Sequence, residues 1–236
     1  GYKQITTATQ TSAPKKLTAE QSTNAIKLTW SKVNSAAGYK IFYKTTASAN
    51  WKTALSETTK TNHTFKNLPA GKKYIFAVQS YSKSTIGIFY GNYITVETAT
   101  KPATPTLKAT ATSSSIALSW SKVNADGYRI YYKTSGSDWK TAVSPTTATG
   151  GTFKNLTANK TYTFAVKAYV KTKSGTIWSG YKQINATTKA ASSSSTITGV
   201  PSTKSEIAAA YNKVVNDYKA YTGKVMLKKT ESVDVK

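Results

Sequence analysis

Apolar and polar positions alternate with period two along most of the chain. Tyr39, Ile41 and Tyr43 interleave with Lys40, Phe42 and Lys44, and Tyr74, Phe76 and Val78 interleave with Ile75, Ala77 and Gln79. The same spacing gives Tyr128, Ile130, Tyr132 and Tyr162, Phe164, Val166. Earlier runs occur at Ile26, Leu28, Trp30 and at Ile116, Leu118, Trp120. Alternation rich in β-branched and aromatic residues predicts half-buried strands. Turn residues (Asn34, Gly38; Ser48, Asn50; Asn67, Gly71) separate the runs. The pattern changes near the C-terminus. Ile207, Tyr211, Val214, Tyr218 and Tyr221 fall on one helical stripe. Thr203-Lys-Ser-Glu206 fits a capping box with Pro201 just outside it, and Gly223 is placed to end the helix. Val225 and Leu227, then Val233 and Val235, predict strands after it.

An internal repeat organises these elements. LTWSKVNSAAGYKIFYKT at 28–45 matches LSWSKVNADGYRIYYKT at 118–134, and NWKTA at 50–54 matches DWKTA at 138–142. TFKNLPAGKKYIFAVQSY at 64–81 matches TFKNLTANKTYTFAVKAY at 152–169. GYKQITTAT at 1–9 returns as GYKQINATT at 180–188. The offset drifts from 90 at Trp30/Trp120 to 88 at Tyr93/Tyr181, as two single-residue deletions in loops would produce. The unit is too long for a solenoid repeat, so it is a small domain present twice. Residues 1–10 are expected to be the last strand of a truncated preceding repeat. Domains are expected at 11–101 and 102–190. A Ser-rich linker at 191–202 then leads to 203–236, a helix then strand that opens a truncated further domain. The alternative is a helix docked on the second domain. Between the copies, Lys101-Pro-Ala-Thr-Pro105 restricts the backbone and favours an extended, semi-rigid connection.

Short strands that expose one apolar face each must bury it against another sheet, which predicts an all-β sandwich. Three features resemble fibronectin type III domains. A Trp sits on the second strand, at Trp30 and Trp120. A Gly-Tyr-x-Ile-x-Tyr strand follows at 38–43 and 127–132. Leu68 precedes Tyr74, and Leu156 precedes Tyr162, each Tyr opening a Tyr-x-Phe-x-Val strand. The Leu…Tyr pair resembles the tyrosine corner, in which the hydroxyl bonds backbone upstream. The resemblance covers about 11–190 and implies two tandem Ig-like β-sandwiches, plus a C-terminal helix-containing segment. The Lys-, Thr- and Ser-rich, Cys-free composition resembles modules of secreted or cell-surface proteins of Gram-positive bacteria. The integrin-binding Arg-Gly-Asp tripeptide of some family members is absent.

Composition narrows the chemistry. The 236 residues contain no Cys and one His, so thiolate sites and His clusters are excluded. No long apolar run predicts a membrane-spanning helix. Lys+Arg number 33 against 9 Asp+Glu, a net charge of +24. The excess is spread evenly over both copies and is almost all Lys. Specific base reading favours Arg, so no specific nucleic-acid binding is expected, and what survives is long-range attraction to polyanions. His63 corresponds to Gly151, which argues for an exposed loop residue and not a catalytic one. No carboxylate pair recurs, so glycoside hydrolysis lacks its acid and nucleophile. The second copy has no His and hence no Ser-His-Asp arrangement. The acids fall in expected loops and edges, which disfavours a Lys–Asn isopeptide bond. No catalytic residue, metal or cofactor is expected.

Aromatic residues remain. Phe42, Tyr81 and Tyr90 in the first copy, and Tyr131, Tyr169 and Trp178 in the second, fall on outward positions of strands that neighbour one another in the family. They are the candidate ligand-binding strip, able to stack on sugar rings. Cross-strand packing on an exposed sheet is the competing explanation. Trp51 and Trp139 are expected to cover a sheet edge. The expected function is a non-catalytic, monomeric spacer, presentation and adhesion module of a large secreted or surface protein. The alternatives are a module binding carbohydrate or an anionic cell-wall polymer, or accessory domains of an extracellular glycan-active enzyme. Candidate partners are a polysaccharide, an anionic wall polymer, or a host or bacterial surface protein, with no membrane insertion.

Overall fold

The computed structural model describes residues 10–191 and 203–222. The expected strands at 1–10 and after Gly223, and Tyr221 of the helical stripe, lie outside these residues or have side chains outside them.

The first copy contains β1 (Leu17–Gln21), β2 (Ile26–Trp30), β3 (Gly38–Lys44), β4 (Lys52–Thr58), β5 (Asn62–Phe65), β6 (Lys73–Ser84) and β7 (Gly87–Ala99). The second contains β8 (Leu107–Ala111), β9 (Ile116–Trp120), β10 (Gly127–Lys133), β11 (Lys140–Thr146), β12 (Gly150–Phe153), β13 (Thr161–Thr172), β14 (Gly175–Trp178) and β15 (Gln183–Thr187). All described pairings are antiparallel. The small sheets run β1-β2-β5 and β12-β9-β8, and the large ones β4-β3-β6-β7 and β11-β10-β13-β14, with β15 also on β13. The long β7 is thus split in two in the second copy. Both copies carry the same register irregularity where β3 meets β4 and β10 meets β11. His63 is not a loop residue: it lies half-buried in β5, opposite Leu28, with its ring edge-on to Phe65 at 4.8 Å. Desolvation there lowers its pKa.

Each copy has its own core. Ile26, Leu28 and Trp30 of the small sheet meet Tyr39, Ile41, Phe76 and Val78 of the large one. Ile116, Leu118, Trp120, Tyr128, Ile130, Phe164 and Val166 repeat that arrangement. Trp30 lies edge-on to Tyr39, ring centroids 5.5 Å apart, and Trp120 lies edge-on to Tyr128 at 5.8 Å. The Tyr39 and Tyr128 hydroxyls accept the Val33 and Val123 N–H groups at 2.8 and 2.9 Å, tying down the loop after the Trp strand.

The tyrosine corner is present with reversed polarity. The Thr157 N–H donates to the Tyr162 hydroxyl at 3.1 Å, so the tyrosine is the acceptor. In the first copy the position of Thr157 is Pro69, which has no N–H to give.

The two sandwiches also touch beyond their linker. Pro102 and Pro105 are buried. Within the first copy, the Lys101 N–H seats the start of the linker on the Ser22 carbonyl at 2.9 Å. Lys73 pairs with Asp126 at 2.9 Å, Asn124 Nδ2 donates to the Ala70 carbonyl at 3.2 Å, and the Lys173 N–H donates to Glu97 at 3.2 Å. Gly71, at φ +67°, lies against the Asn124 backbone so closely that a Cβ would overlap it. Burial alone would raise the Asp126 pKa. The Lys171 N–H and the Lys73 ammonium outweigh it and hold the carboxyl below its ordinary value.

The separate C-terminal unit contains α1 (Lys204–Thr222). Its capping box is reciprocal: the Thr203 N–H donates to Glu206 at 3.0 Å, and the Glu206 N–H donates to the Thr203 hydroxyl at 3.2 Å. Ile207, Tyr211, Val214 and Tyr218 are all exposed.

Two expectations follow. Tyr162→Phe removes the acceptor of a backbone N–H and should cost about 1 kcal/mol by chemical denaturation. Tyr74→Phe, lacking that bond, should cost less. Protonation of Asp126 should loosen the junction. Because its pKa is depressed, the contact is fully present above the ordinary aspartate value of 3.8 and lost as pH falls through the lower, folded value. Inter-module contacts in an NMR pH series should persist at pH 5 and fade below about pH 3.8, and Asp126→Asn should weaken them at every pH.

Candidate functional site: paired aromatic faces

Strand alternation places half of each large sheet's side chains on its outer face. On β3 these are Gly38, Lys40, Phe42 and Lys44, and across the register they meet Tyr81, Gln79, Ala77 and Ile75 of β6. On β10, Gly127, Arg129, Tyr131 and Lys133 meet Tyr169, Lys167, Ala165 and Thr163 of β13. All six candidate aromatics are therefore on the expected face, but they do not form one exposed strip.

Tyr81 and Tyr169 are buried, at 3% and 6% exposure. Their rings lie over Gly38 and Gly127: a Cβ on Gly127 would come within 2.6 Å of the Tyr169 hydroxyl, and one on Gly38 would overlap that of Tyr81. This is why the Gly-Tyr-x-Ile-x-Tyr strand opens on glycine. Tyr90 and Trp178 flank them, with centroids at 6.0 and 5.3 Å from Tyr81 and Tyr169. Burial pushes the Tyr81 hydroxyl's pKa up, and the neighbouring Glu57 carboxylate adds to it. Tyr81 and Tyr169 are therefore packing residues and cannot offer a ring face to a ligand.

Phe42 and Tyr131 belong to different clusters, with Trp51 and Tyr93 in the first copy and with Trp139 and Tyr181 in the second. Phe42 lies 6.5 Å from Trp51, which lies 6.2 Å from Tyr93. Trp139 lies 6.3 Å from Tyr181, the rings inclined at 78°. Trp51 and Trp139 do not simply cap an edge: they wall an open groove. In the second copy the groove is about 200 Å³, lined by Tyr131, Trp139, Ala165, Lys167 and Tyr181. In the first it is about 140 Å³, lined by Phe42, Trp51, Ala77, Gln79 and Tyr93. The alanine at the centre of each leaves the hollow. Tyr93 and Tyr181 share the offset of Trp51 and Trp139, so position-by-position comparison of the copies could have joined the two pairs.

Cations cover the rings. Lys44 lies 4.7 Å from the Trp51 centroid, Lys133 5.1 Å from Trp139, Lys167 5.1 Å from Tyr181, and the Arg129 guanidinium 5.0 Å from Trp178. Lys40 lies between Phe42 and Tyr90, at 5.2 and 5.5 Å. Such contacts contribute roughly 0.5–1 kcal/mol each when exposed. Among the described residues no group of three or more His, Cys, Asp or Glu could hold a metal ion. No described helix is long and apolar enough to cross a membrane. Chemically, these faces offer stacking surfaces and positive charge.

Duplicated two-sheet sandwiches with an aromatic outer face define a tandem Ig-like module. The family model for the fibronectin type III domain matches residues 12–97 and 100–181, and the chain belongs to that family. A curated relative, Chitinase A1 of Niallia circulans, is 32% identical over 158 residues, which cover 61% of this chain and 21% of that protein. The chain thus spans about a fifth of the length of that relative. Among solved structures, a two fibronectin type III domain segment from chicken tenascin superposes with a TM-score of 0.51 at 18% identity. The match covers 74% of this chain and 99% of that one, and it supports the fold alone.

The glycine under each buried tyrosine is testable. Gly127→Ala crowds both the Tyr169 ring and the Thr146 carbonyl, at 2.9 Å. It should destabilise the second sandwich by about 1–3 kcal/mol in denaturant titration, as overpacking does. Pairing it with Tyr169→Ala should recover part of that loss.

Proposed function

We propose that the chain is a non-catalytic spacer and presentation segment of a larger extracellular protein, secreted or held at the cell surface. The observation that carries this reading is the junction. A short linker with two buried prolines is supplemented by Lys73–Asp126, Asn124–Ala70, Lys173–Glu97 and the fit of Gly71 against Asn124. Such contacts fix an orientation, which a spacer needs and a free tether lacks. The expected absence of a repeated acid, base or nucleophile supports the non-catalytic part. The likeness to a stretch of a chitinase supports a parent protein that acts on glycans outside the cell.

Nitrogen-15 relaxation on the intact chain tests the reading. The two sandwiches should share one rotational correlation time, and Asp126→Asn combined with Gly71→Asn should separate them. Independent tumbling of the unaltered sandwiches would refute the spacer role, and hydrolysis of chitin or peptidoglycan by the purified chain would refute its non-catalytic character.

A further inference from the structure

The two grooves are built on equivalent positions but have diverged. Lys167 stands where the first copy has Gln79, Tyr131 where it has Phe42, Arg129 where it has Lys40, and Asp138 where it has Asn50. Gln79 is committed: its side-chain amide donates to the Gly91 carbonyl at 2.8 Å. The first groove therefore offers the Tyr93 hydroxyl but no cation from its lining, with Lys44 beside Trp51 as Lys133 is beside Trp139. The second groove offers the Tyr131 hydroxyl and the Lys167 ammonium, with Lys133 beside Trp139.

Among the described residues the cations of the second face have no anionic partner. The ion pairs among the described residues are Lys73–Asp126, Lys83–Glu57 and Lys213–Asp217, and none involves Arg129, Lys133 or Lys167. Arg129 also has a shielded Nε with no hydrogen-bond acceptor among those residues. Of the two carboxylates in this copy, Asp126 is held in the junction. Asp138, exposed and next to Trp139 in sequence, is the one that opposes an anion.

We propose that the second sandwich binds an acidic polysaccharide, one sugar ring resting in the Tyr131–Trp139–Tyr181 groove with its anionic group on Lys167 and Lys133. The groove is smaller than a typical enclosed ligand pocket of about 300–1,000 Å³ and is open. It suits a single residue of a polymer whose neighbours lie outside. Its two best-defined walls meet at 78°. A corner of this kind receives the C–H-bearing edge and face of a puckered pyranose better than a flat base, which needs a parallel platform. The lysines that cover the rings in the free protein then exchange a cation–π contact for a charge-assisted hydrogen bond, the stronger of the two. This goes beyond the spacer role and does not depend on it.

The test uses the intact chain in calorimetric titrations at physiological salt. Polygalacturonate and a phosphate-linked teichoic acid distinguish carboxylate from phosphate as the recognised group, amylose serves as the neutral glycan, and single-stranded DNA as the non-saccharide polyanion. One of the two acidic polymers should bind, while amylose and DNA bind at least tenfold more weakly. Trp139→Ala should weaken binding by about tenfold or more, the equivalent of 1.4 kcal/mol. Lys167→Gln, which copies the first groove, should weaken it by about three- to fivefold and flatten its salt dependence, as removal of one screened charge does. Trp51→Ala should leave it unchanged. Should Trp139→Ala alter folding, shifts of the Trp139 indole and Ala165 methyl resonances with oligogalacturonate or an oligomeric teichoic acid supply the same answer on the unaltered chain. Equal binding of DNA and the acidic glycans, equal binding of amylose, loss on Trp51→Ala, or unmoved Trp139 and Ala165 resonances would each overturn the proposal.

Discussion

The contact on which each sandwich depends is that between an indole and a phenol. Trp30 comes from the small sheet and Tyr39 from the large one, and their edge-on packing joins the two layers. The same phenol reaches the Val33 N–H, so the loop leading from one sheet to the other is fastened at the point where the sheets meet. Trp120, Tyr128 and Val123 repeat the device. Both indole N–H groups are buried without an acceptor among the described residues. An unpaired buried donor costs free energy. The ring area hidden between the sheets more than offsets it, since an aromatic side chain buries about 150–250 Å². Because this anchor sets where the large sheet lies, it also sets which residues of β3 and β10 face outward.

That outer face is where the two copies express their differences. Inside, equivalent positions carry equivalent side chains, because close packing leaves little choice of volume. Outside, Lys167 for Gln79 and Tyr131 for Phe42 change chemistry without disturbing a core. The alanines at 77 and 165 are buried by the aromatic side chains around them and not by a second sheet. A surface can thus be well packed and still remain accessible from one side.

Much of the fold was legible because its signals are local. Period-two alternation, the Trp strand and the duplicated Gly-Tyr-x-Ile-x-Tyr run each lie within a few residues, and the capping box at Thr203 and Glu206 spans four. The site was legible only as a face. Alternation tells which way Tyr81 and Tyr169 point, but not that a glycine directly opposite on the adjacent strand leaves room for their rings to be buried. It likewise cannot bring Trp51, outside any strand, to Tyr93, because that proximity is set by how β4 and β7 flank β3 and β6. The polarity of the tyrosine corner was hidden for a different reason: a hydroxyl both gives and accepts, and only the placement of the Thr157 N–H decides which. His63 looked like a loop residue because its counterpart is glycine, yet both positions lie in paired strands.

The junction gives the tandem a direction. Its partners are drawn from opposite ends of the two copies, and apart from Asn124 and Ala70, which recur as Asn34 and Ala158, the equivalent positions do not repeat them: Lys73 corresponds to Thr161, Gly71 to Asn159, Glu97 to Asn185 and Asp126 to Ala37. A chain with the two copies in reversed order would keep both sandwiches intact but would meet at Thr161 and Ala37, with no charge to pair. Asn159 would stand there in place of the glycine. Recombination between such similar segments, which their sequences invite, would therefore yield proteins that fold and yet are mechanically uncoupled, so selection on orientation acts at the seam and not within either domain.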